Sequence, residues 1–256
     1  MHIDLDVMSI SVDAVRRTGK ESIFVSFREM RCLRQAAVLS SMIQESPIMK
    51  LYYSDVLNPR KVCALAKYLQ SPVEYVFLDL SRGEHRTPFH LALNPNGKVP
   101  TLVDGDQVVW ESDAILCHLA ARAKSHLWPQ VGDRQIEIIR WFSWASQHFN
   151  RHAGELYFEH VIKARFGLGD PDPDAVANAQ QEFRHYAAVL DAHLQDRDWL
   201  LGDQLSVADF SVAISLPYAK QSHIPLDDFR HISDWHNRLN VLEAWREPFP
   251  SRPETA

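Results

Sequence analysis

The chain has 256 residues, 46% hydrophobic and 23% charged, with a formal net charge of -6. This describes a globular protein able to bury a substantial core, as one large domain or two modest ones. The acidic balance excludes a general nucleic-acid binder, and no window reaches the ~18 consecutive apolar residues of a membrane span.

Residues 1–48 read as an extension, either disordered or the product of a start placed too early, because strand patterning begins abruptly at Met49. The first residues carry Asp4 and Asp6 and do not read as a secretory signal. From Leu51 to Ser54 a short apolar strand is expected. Asn58-Pro59 then supplies a capping residue followed by proline at a first helical position. That helix runs to about Leu69, and Val73 to Leu78 forms a second strand. Thr87-Pro88 repeats the cap-plus-proline signal for a short helix through Leu93. Val99 to Val103 and Gln107 to Trp110 are strands joined at Asp104-Gly105, a strong hairpin signal. Ser112 caps a helix from Asp113 to about Arg122. The order βαβ, α, ββ, α within residues 49–126 predicts a four-stranded mixed sheet with helices on both faces.

Trp128-Pro129 and Gly132 mark a linker, and residues 133–247 read as all-helical. Ile138, Trp141, Phe142, Ala145 and Phe149 recur with the period of one buried helix face. Phe183, Ala187, Leu190 and Leu194 repeat that logic. Ser206 starts a helix to about Gln221, with Phe210, Ala213, Ile214 and Pro217 on one side. A last helix holds Trp235, Leu239 and Leu242.

Cys32, Cys63 and Cys117 are widely spaced with no Cys-x-x-Cys pair, which fits a reducing, cytoplasmic compartment and neither a disulfide framework nor a zinc site. No metal constellation is expected, the His148/His152 pair having no acidic partner at metal-site spacing.

Three motifs carry chemistry. A cis Val99-Pro100 bond would turn the Val99 backbone outward to pair with a bound peptide, although proline opening a strand is also the plain reading. Glu111-Ser112-Asp113 ends a strand and begins a helix, whose free N–H groups suit a carboxylate while Glu111 accepts an ammonium group. His85, Arg86 and Lys98 give local positive charge for a second carboxylate. Each has an ordinary alternative: a cap, an exposed acid or a solvated cation.

The succession Gly-x-His-Arg (Gly83 to Arg86), Asn-Pro-x-Gly-Lys-Val-Pro (Asn94 to Pro100) and Glu-Ser-x-Ala-Ile (Glu111 to Ile115) resembles the glutathione S-transferase family, particularly its phi- and theta-like bacterial branches. Leu201 to Asp209 resembles the family's helix-start element, physically a capping box with Asp209 in the place of Glu. The resemblance implies a thioredoxin-like N-terminal domain, a helical C-terminal domain and a homodimer. It implies glutathione as co-substrate, with no further cofactor, held by His85, Arg86, Lys98, Val99, Glu111 and Ser112. A small hydrophobic electrophile would enter the interdomain cleft, no nucleic acid or membrane being involved.

The chain departs from the family where the thiol is activated. The serine expected there falls near Val56 or Leu57, leaving Asn58 as the candidate donor to the sulfur and Ser54 behind it. Trp144 and His148, with Arg151, are candidates for the electrophile pocket. Two alternatives stay open: a glutathione-dependent disulfide reductase or peroxidase, and a non-catalytic glutathione-binding regulatory protein.

Overall fold

The computed structural model describes residues 48–130 and 132–251; the expected extension, apart from Ile48, lies outside the described residues, as does Cys32. Strand β1 (Met49–Tyr53) is followed by α1 (Leu57–Tyr68), β2 (Val73–Phe77), a 3-10 turn (Glu84–Arg86) and α2 (Pro88–Leu93). The hairpin β3 (Thr101–Asp104) and β4 (Gln107–Trp110) leads to α3 (Ser112–Arg122). The sheet order is β2-β1-β3-β4, with β1 parallel to β2 and antiparallel to β3, and β3 antiparallel to β4. This is the four-stranded mixed sheet that the alternating pattern predicts.

Side-chain alternation along β1 separates the two faces. Leu51 and Tyr53 enter the main core, where Tyr53 meets Tyr75, Phe77 and Phe249. Tyr52 points the other way, to Phe89 and His90 of α2. The hairpin turns one residue later than the sequence suggests. Asp104 is still paired with Gln107, its carboxylate held by His118 and Arg122, and Gly105 takes the positive φ of 58°.

The helical part comprises α4 (Gly132–Gln147), α5 (Phe149–Tyr157), a π-turn (Phe158–Ile162), α6 (Lys163–Phe166), α7 (Pro173–Leu194), α8 (Val207–Val212), α9 (Arg230–Leu239) and α10 (Glu243–Arg246). Ile138, Trp141, Ala145 and Phe149 are buried as the period predicts, and so are Phe183, Ala187, Leu190 and Leu194. Phe142 is only half-buried against that core. The helix expected from Ser206 to Gln221 is much shorter. It stops at Val212 and resumes as a 3-10 turn over Leu216–Tyr218. Pro217 explains the break, because its ring and missing N–H do not continue an α-helix.

The capping box is present and does more than cap. Asp209 Oδ2 accepts from the Ser206 amide (2.8 Å) and hydroxyl (2.9 Å). Its Oδ1 accepts from the Leu200 amide (2.9 Å) and from Trp235 Nε1 (3.0 Å). One fully buried carboxylate therefore joins α8, α9 and the loop after α7.

The C-terminal segment returns to the sheet part. Arg60 of α1 donates to the Trp245 carbonyl, and its guanidinium lies 5.2 Å from the Trp245 ring and 5.8 Å from the Tyr218 ring. Beside it, Trp245 Nε1 donates to His236 Nε2 (3.3 Å), which requires that nitrogen unprotonated. Burial and, secondarily, the Arg60 charge hold the His236 pKa down from 6.5 to about 4. The unfolded chain takes up this proton below about pH 6.5 while the folded state refuses it, so stability is full above that pH and falls toward pH 4. The predicted loss is on the order of 3 kcal/mol. Denaturant midpoints followed across that range should fall more steeply for the native chain than for His236→Gln; parallel curves would show that His236 is not responsible.

Candidate functional site

Both helices that frame the site begin earlier than the sequence suggests, by two residues at α1 and by one at α3. At α1 the N-cap is Val56 (φ -130°, ψ 174°), which makes no side-chain cap bond, so Asn58 is not the cap. Asn58 is the second helical residue and Pro59 the third, a position where the missing proline N–H would have had no intrahelical partner. At α3 the N-cap is Glu111 (φ 69°, ψ 117°), also without a side-chain cap bond, and Ser112 is the first helical residue and not the cap. A positive φ at a glutamate is strained, a condition that structures keep where function requires it. Valine has no hydrogen-bonding side chain and the exposed Glu111 carboxylate caps nothing, so neither side chain takes up the first amides of its helix.

Asn58, Glu111 and Ser112 line one cavity of about 280 Å³. Ser112 Oγ donates to Asn58 Oδ1 at 3.5 Å, joining the two helix starts. Below them lies a buried knot. Lys61 Nζ donates to Asp113 Oδ1 (2.6 Å) and Ser211 Oγ (3.0 Å), and Ser211 Oγ donates to the same Asp113 oxygen (2.6 Å). The Lys61 side chain is 5% exposed and its charge is met by Asp113, so it does not make the loop before α1 more positive.

The far wall of the cavity comes from the helical part: Ser146, Asn150, Arg151 and Gly154. Asn150 is fixed by donating to the Ser211 carbonyl (3.0 Å) and accepting from Ser215 Oγ (3.4 Å). Trp144 and His148 do not line it. Trp144 packs against Trp141 and Phe149, and His148 stacks on Tyr186 with centroids 4.5 Å apart. The cause is His148 itself, which leaves helical geometry (φ -127°, ψ -90°) and separates α4 from α5. A helical period carried straight through that break misassigns the face. Of that face, Arg151 alone reaches the cavity, and the wall is polar where the sequence suggested an apolar lining.

Ser54 is also placed elsewhere. It is buried at the end of β1 and borders a separate cavity of about 300 Å³ beside Phe77, Asp79 and Arg165. Arg165 donates to Asp55 (2.7 Å).

His85, Arg86, Lys98 and Val99 lie on two neighbouring loops. Gly97 (φ 58°) packs so closely on them that a Cβ would come 3.3 Å from the His85 carbonyl oxygen. Buried Asn94 ties the second loop. Its side chain donates to the Lys98 carbonyl (2.9 Å) and Thr101 Oγ1 (3.2 Å) and accepts from the Asn96 amide (3.1 Å). The Val99-Pro100 bond is cis, and β3 starts after it, at Thr101. Among the described residues no hydrogen bond takes up the Val99 N–H or C=O. His85 Nδ1 is buried without a partner, and burial together with Arg86 holds the His85 pKa below its ordinary value.

The remaining nucleophiles are inert. Cys63 is fully buried and its thiol pKa is pushed far up, while burial raises Cys117 to about 12. Among the described residues no cluster of histidine, cysteine and carboxylate side chains can hold a metal. Sequence reasoning missed the Asp113–Ser211 half of the knot, Asn150 and Gly154. Asp113 stood inside a recognised motif, but its partner Ser211 is 98 residues away and carries no local signal.

Comparison with known proteins agrees with this arrangement. The family model "Glutathione S-transferase, N-terminal domain" matches residues 49–121, and the corresponding C-terminal domain model matches residues 149–243. A probable glutathione S-transferase of Oryza sativa subsp. japonica is 31% identical over 195 residues, covering 75% of this chain and 91% of that protein. Glutathione S-transferase 2 of Schizosaccharomyces pombe is 35% identical over 166 residues, 60% of this chain and 67% of its own. Among solved structures, a glutathione S-transferase-I bound with lactoylglutathione superposes with a TM-score of 0.71 at 25% identity, covering 78% of this chain and 97% of that one. The mixed sheet and the helical part are thus the local form of a shared architecture, and the chain belongs to the glutathione S-transferase family.

Proposed function

We propose that this chain is a glutathione transferase whose thiolate attacks an electrophile in the cavity between the sheet and helical parts. The carrying observation is that Asn58, Glu111 and Ser112 share one cavity whose opposite wall is helical. In this reading the free Val99 backbone pairs with the extended tripeptide. Glu111 receives the ammonium group, and Ser112 with the α3 amides receives the adjacent carboxylate. His85, Arg86 and Lys98 receive the second carboxylate. The sulfur lies at the start of α1, where the amides, the helix dipole and the Asn58 side-chain amide favour thiolate over thiol. Conjugation disposes of reactive electrophiles, a detoxifying role. The free thiols of Cys63 and Cys117 support a cytoplasmic location.

A second reading, a protein that binds glutathione without turning it over, is favoured by one observation: no serine stands at Val56 or Leu57, near which the family's is expected. The two readings separate with one variant. Asn58→Ala should lower kcat for a chlorinated nitroaromatic by about ten- to a hundredfold, while calorimetry finds glutathione affinity changed by less than about threefold. An unchanged kcat would remove Asn58 from the mechanism, and a native chain that binds glutathione but never turns over would favour the regulatory reading.

A homodimer is supported by large apolar side chains left exposed on both parts: Phe89 and Trp110 near the sheet, Ile136, Ile139 and Val189 on the helices. Sedimentation should give twice the chain mass for the native protein and a single mass for Phe89→Lys; a native monomer would overturn the dimer.

A further inference from the structure

The cavity at the site does not end at its helical wall. A second cavity of about 490 Å³ lies against the other flank of α5, and Arg151 and Gly154 belong to the walls of both. On α5, Asn150 and Gly154 are one turn apart on the same side of the helix, and Phe158 follows one turn on. Gly154 is the low point of that side. A glycine inside a helix is unfavourable relative to alanine, and it is usually explained by a close neighbour or a positive φ. Neither holds here: a Cβ at Gly154 would meet nothing within 4 Å, and its φ is ordinary. What its missing side chain leaves is open space between the two cavities.

The two ends of this passage differ in chemistry. The end near Asn58 is polar, walled by Ser146, Asn150 and Arg151. The far end offers an apolar surface at Ala175 and Phe158, which is 44% exposed at the start of the π-turn with its ring under Lys163 Nζ at 5.9 Å, and it is rimmed by Glu155, Glu159 and Asn178. Such π-turns recur at functional sites.

From this we infer that Gly154 is a specificity-determining notch, through which an elongated amphipathic electrophile lies with its polar reactive end at the thiolate and its apolar tail against Phe158. The inference rests on the glutathione transferase reading and names the substrate class for it. A long-chain alk-2-enal is the simplest probe of that class. The thiolate sulfur bonds to the β-carbon and the π pair moves onto the α-carbon and carbonyl oxygen. Solvent then supplies one proton to the resulting enolate, and no further reactant is consumed.

The test compares enals from about four to ten carbons with the native chain, Gly154→Ala and Gly154→Leu, using kcat/KM, glutathione KM and thermal stability. In the native chain kcat/KM should rise with length, by at most about three- to fourfold per methylene buried. Gly154→Leu should lower the ratio of long-enal to short-enal kcat/KM about tenfold or more, with the glutathione KM, set on the opposite wall, changed by less than about threefold. Gly154→Ala should lower that ratio less, and neither variant should melt lower, since both place a better helix former in open space. Identical length dependence in all three proteins overturns the notch. A native chain that binds glutathione but converts no enal overturns the substrate class and leaves glutathione recognition standing; no glutathione binding at all overturns the reading beneath it.

Discussion

The site depends on one charge pair, a buried lysine with a half-buried aspartate. Lys61 on α1 and Asp113 on α3 meet at 2.6 Å, and both reach Ser211 on α8. Removing Asp113 leaves the Lys61 ammonium, 5% exposed, with only the Ser211 hydroxyl, and an unpaired buried charge of that kind costs about 3–5 kcal/mol. Three helices from both parts of the fold are thereby held in one register. That register places Asn58, three residues before Lys61, beside Ser112, one residue before Asp113. Asn150 extends the arrangement by donating to the carbonyl of the same Ser211. The geometry at the mouth of the cavity thus follows from an interaction at its floor.

Most of the fold was legible because its determinants are local. Strand alternation, the Thr87-Pro88 helix start, the Asp-Gly hairpin and the Ser206–Asp209 box each bring donor and acceptor within a few residues, so spacing alone identifies them. Thr87 does accept from the His90 amide, and Asp209 does close the box. What sequence could not supply was the reach of those groups. Nothing local says that Asp209 also binds Trp235, 26 residues on, or that Arg60 crosses 185 residues to Trp245.

The site was legible by residue type and less so by position. Glu111, Ser112 and Asn58 are together, but the caps lie two residues and one residue earlier than expected, because Val56 and Glu111 adopt the non-helical backbone that the sequence assigned to Asn58 and Ser112. Propensity favoured serine and asparagine as caps. The structure instead keeps those hydrogen-bonding groups inside the first turn, where they face the cavity. Trp144 and His148 failed for a different reason. A periodicity argument assumes a continuous helix, and the backbone break at His148 is invisible to hydrophobic spacing, since Phe149 still lands in the core.

These departures share a direction. Elsewhere Thr87 caps α2, Asp172 caps α7, Ser206 and Asp209 cap α8, and Asn94 satisfies its own turn, while α10 starts at Leu242 without a side-chain cap and Gln70, Lys124 and His223 also hold a positive φ. Around the cavity the same requirements are left open. Val56 and Glu111 cap nothing with their side chains, Glu111 holds a strained φ, Val99 keeps its backbone groups free among the described residues, and Gly154 forgoes a side chain that would fit. Each exception is destabilising alone, and sequence rules fail most readily where function opposes local stability. Glu111 and Gly154 line the cavity from opposite walls and Val56 adjoins its Leu57, so these exceptions together support a working site better than any one of them does.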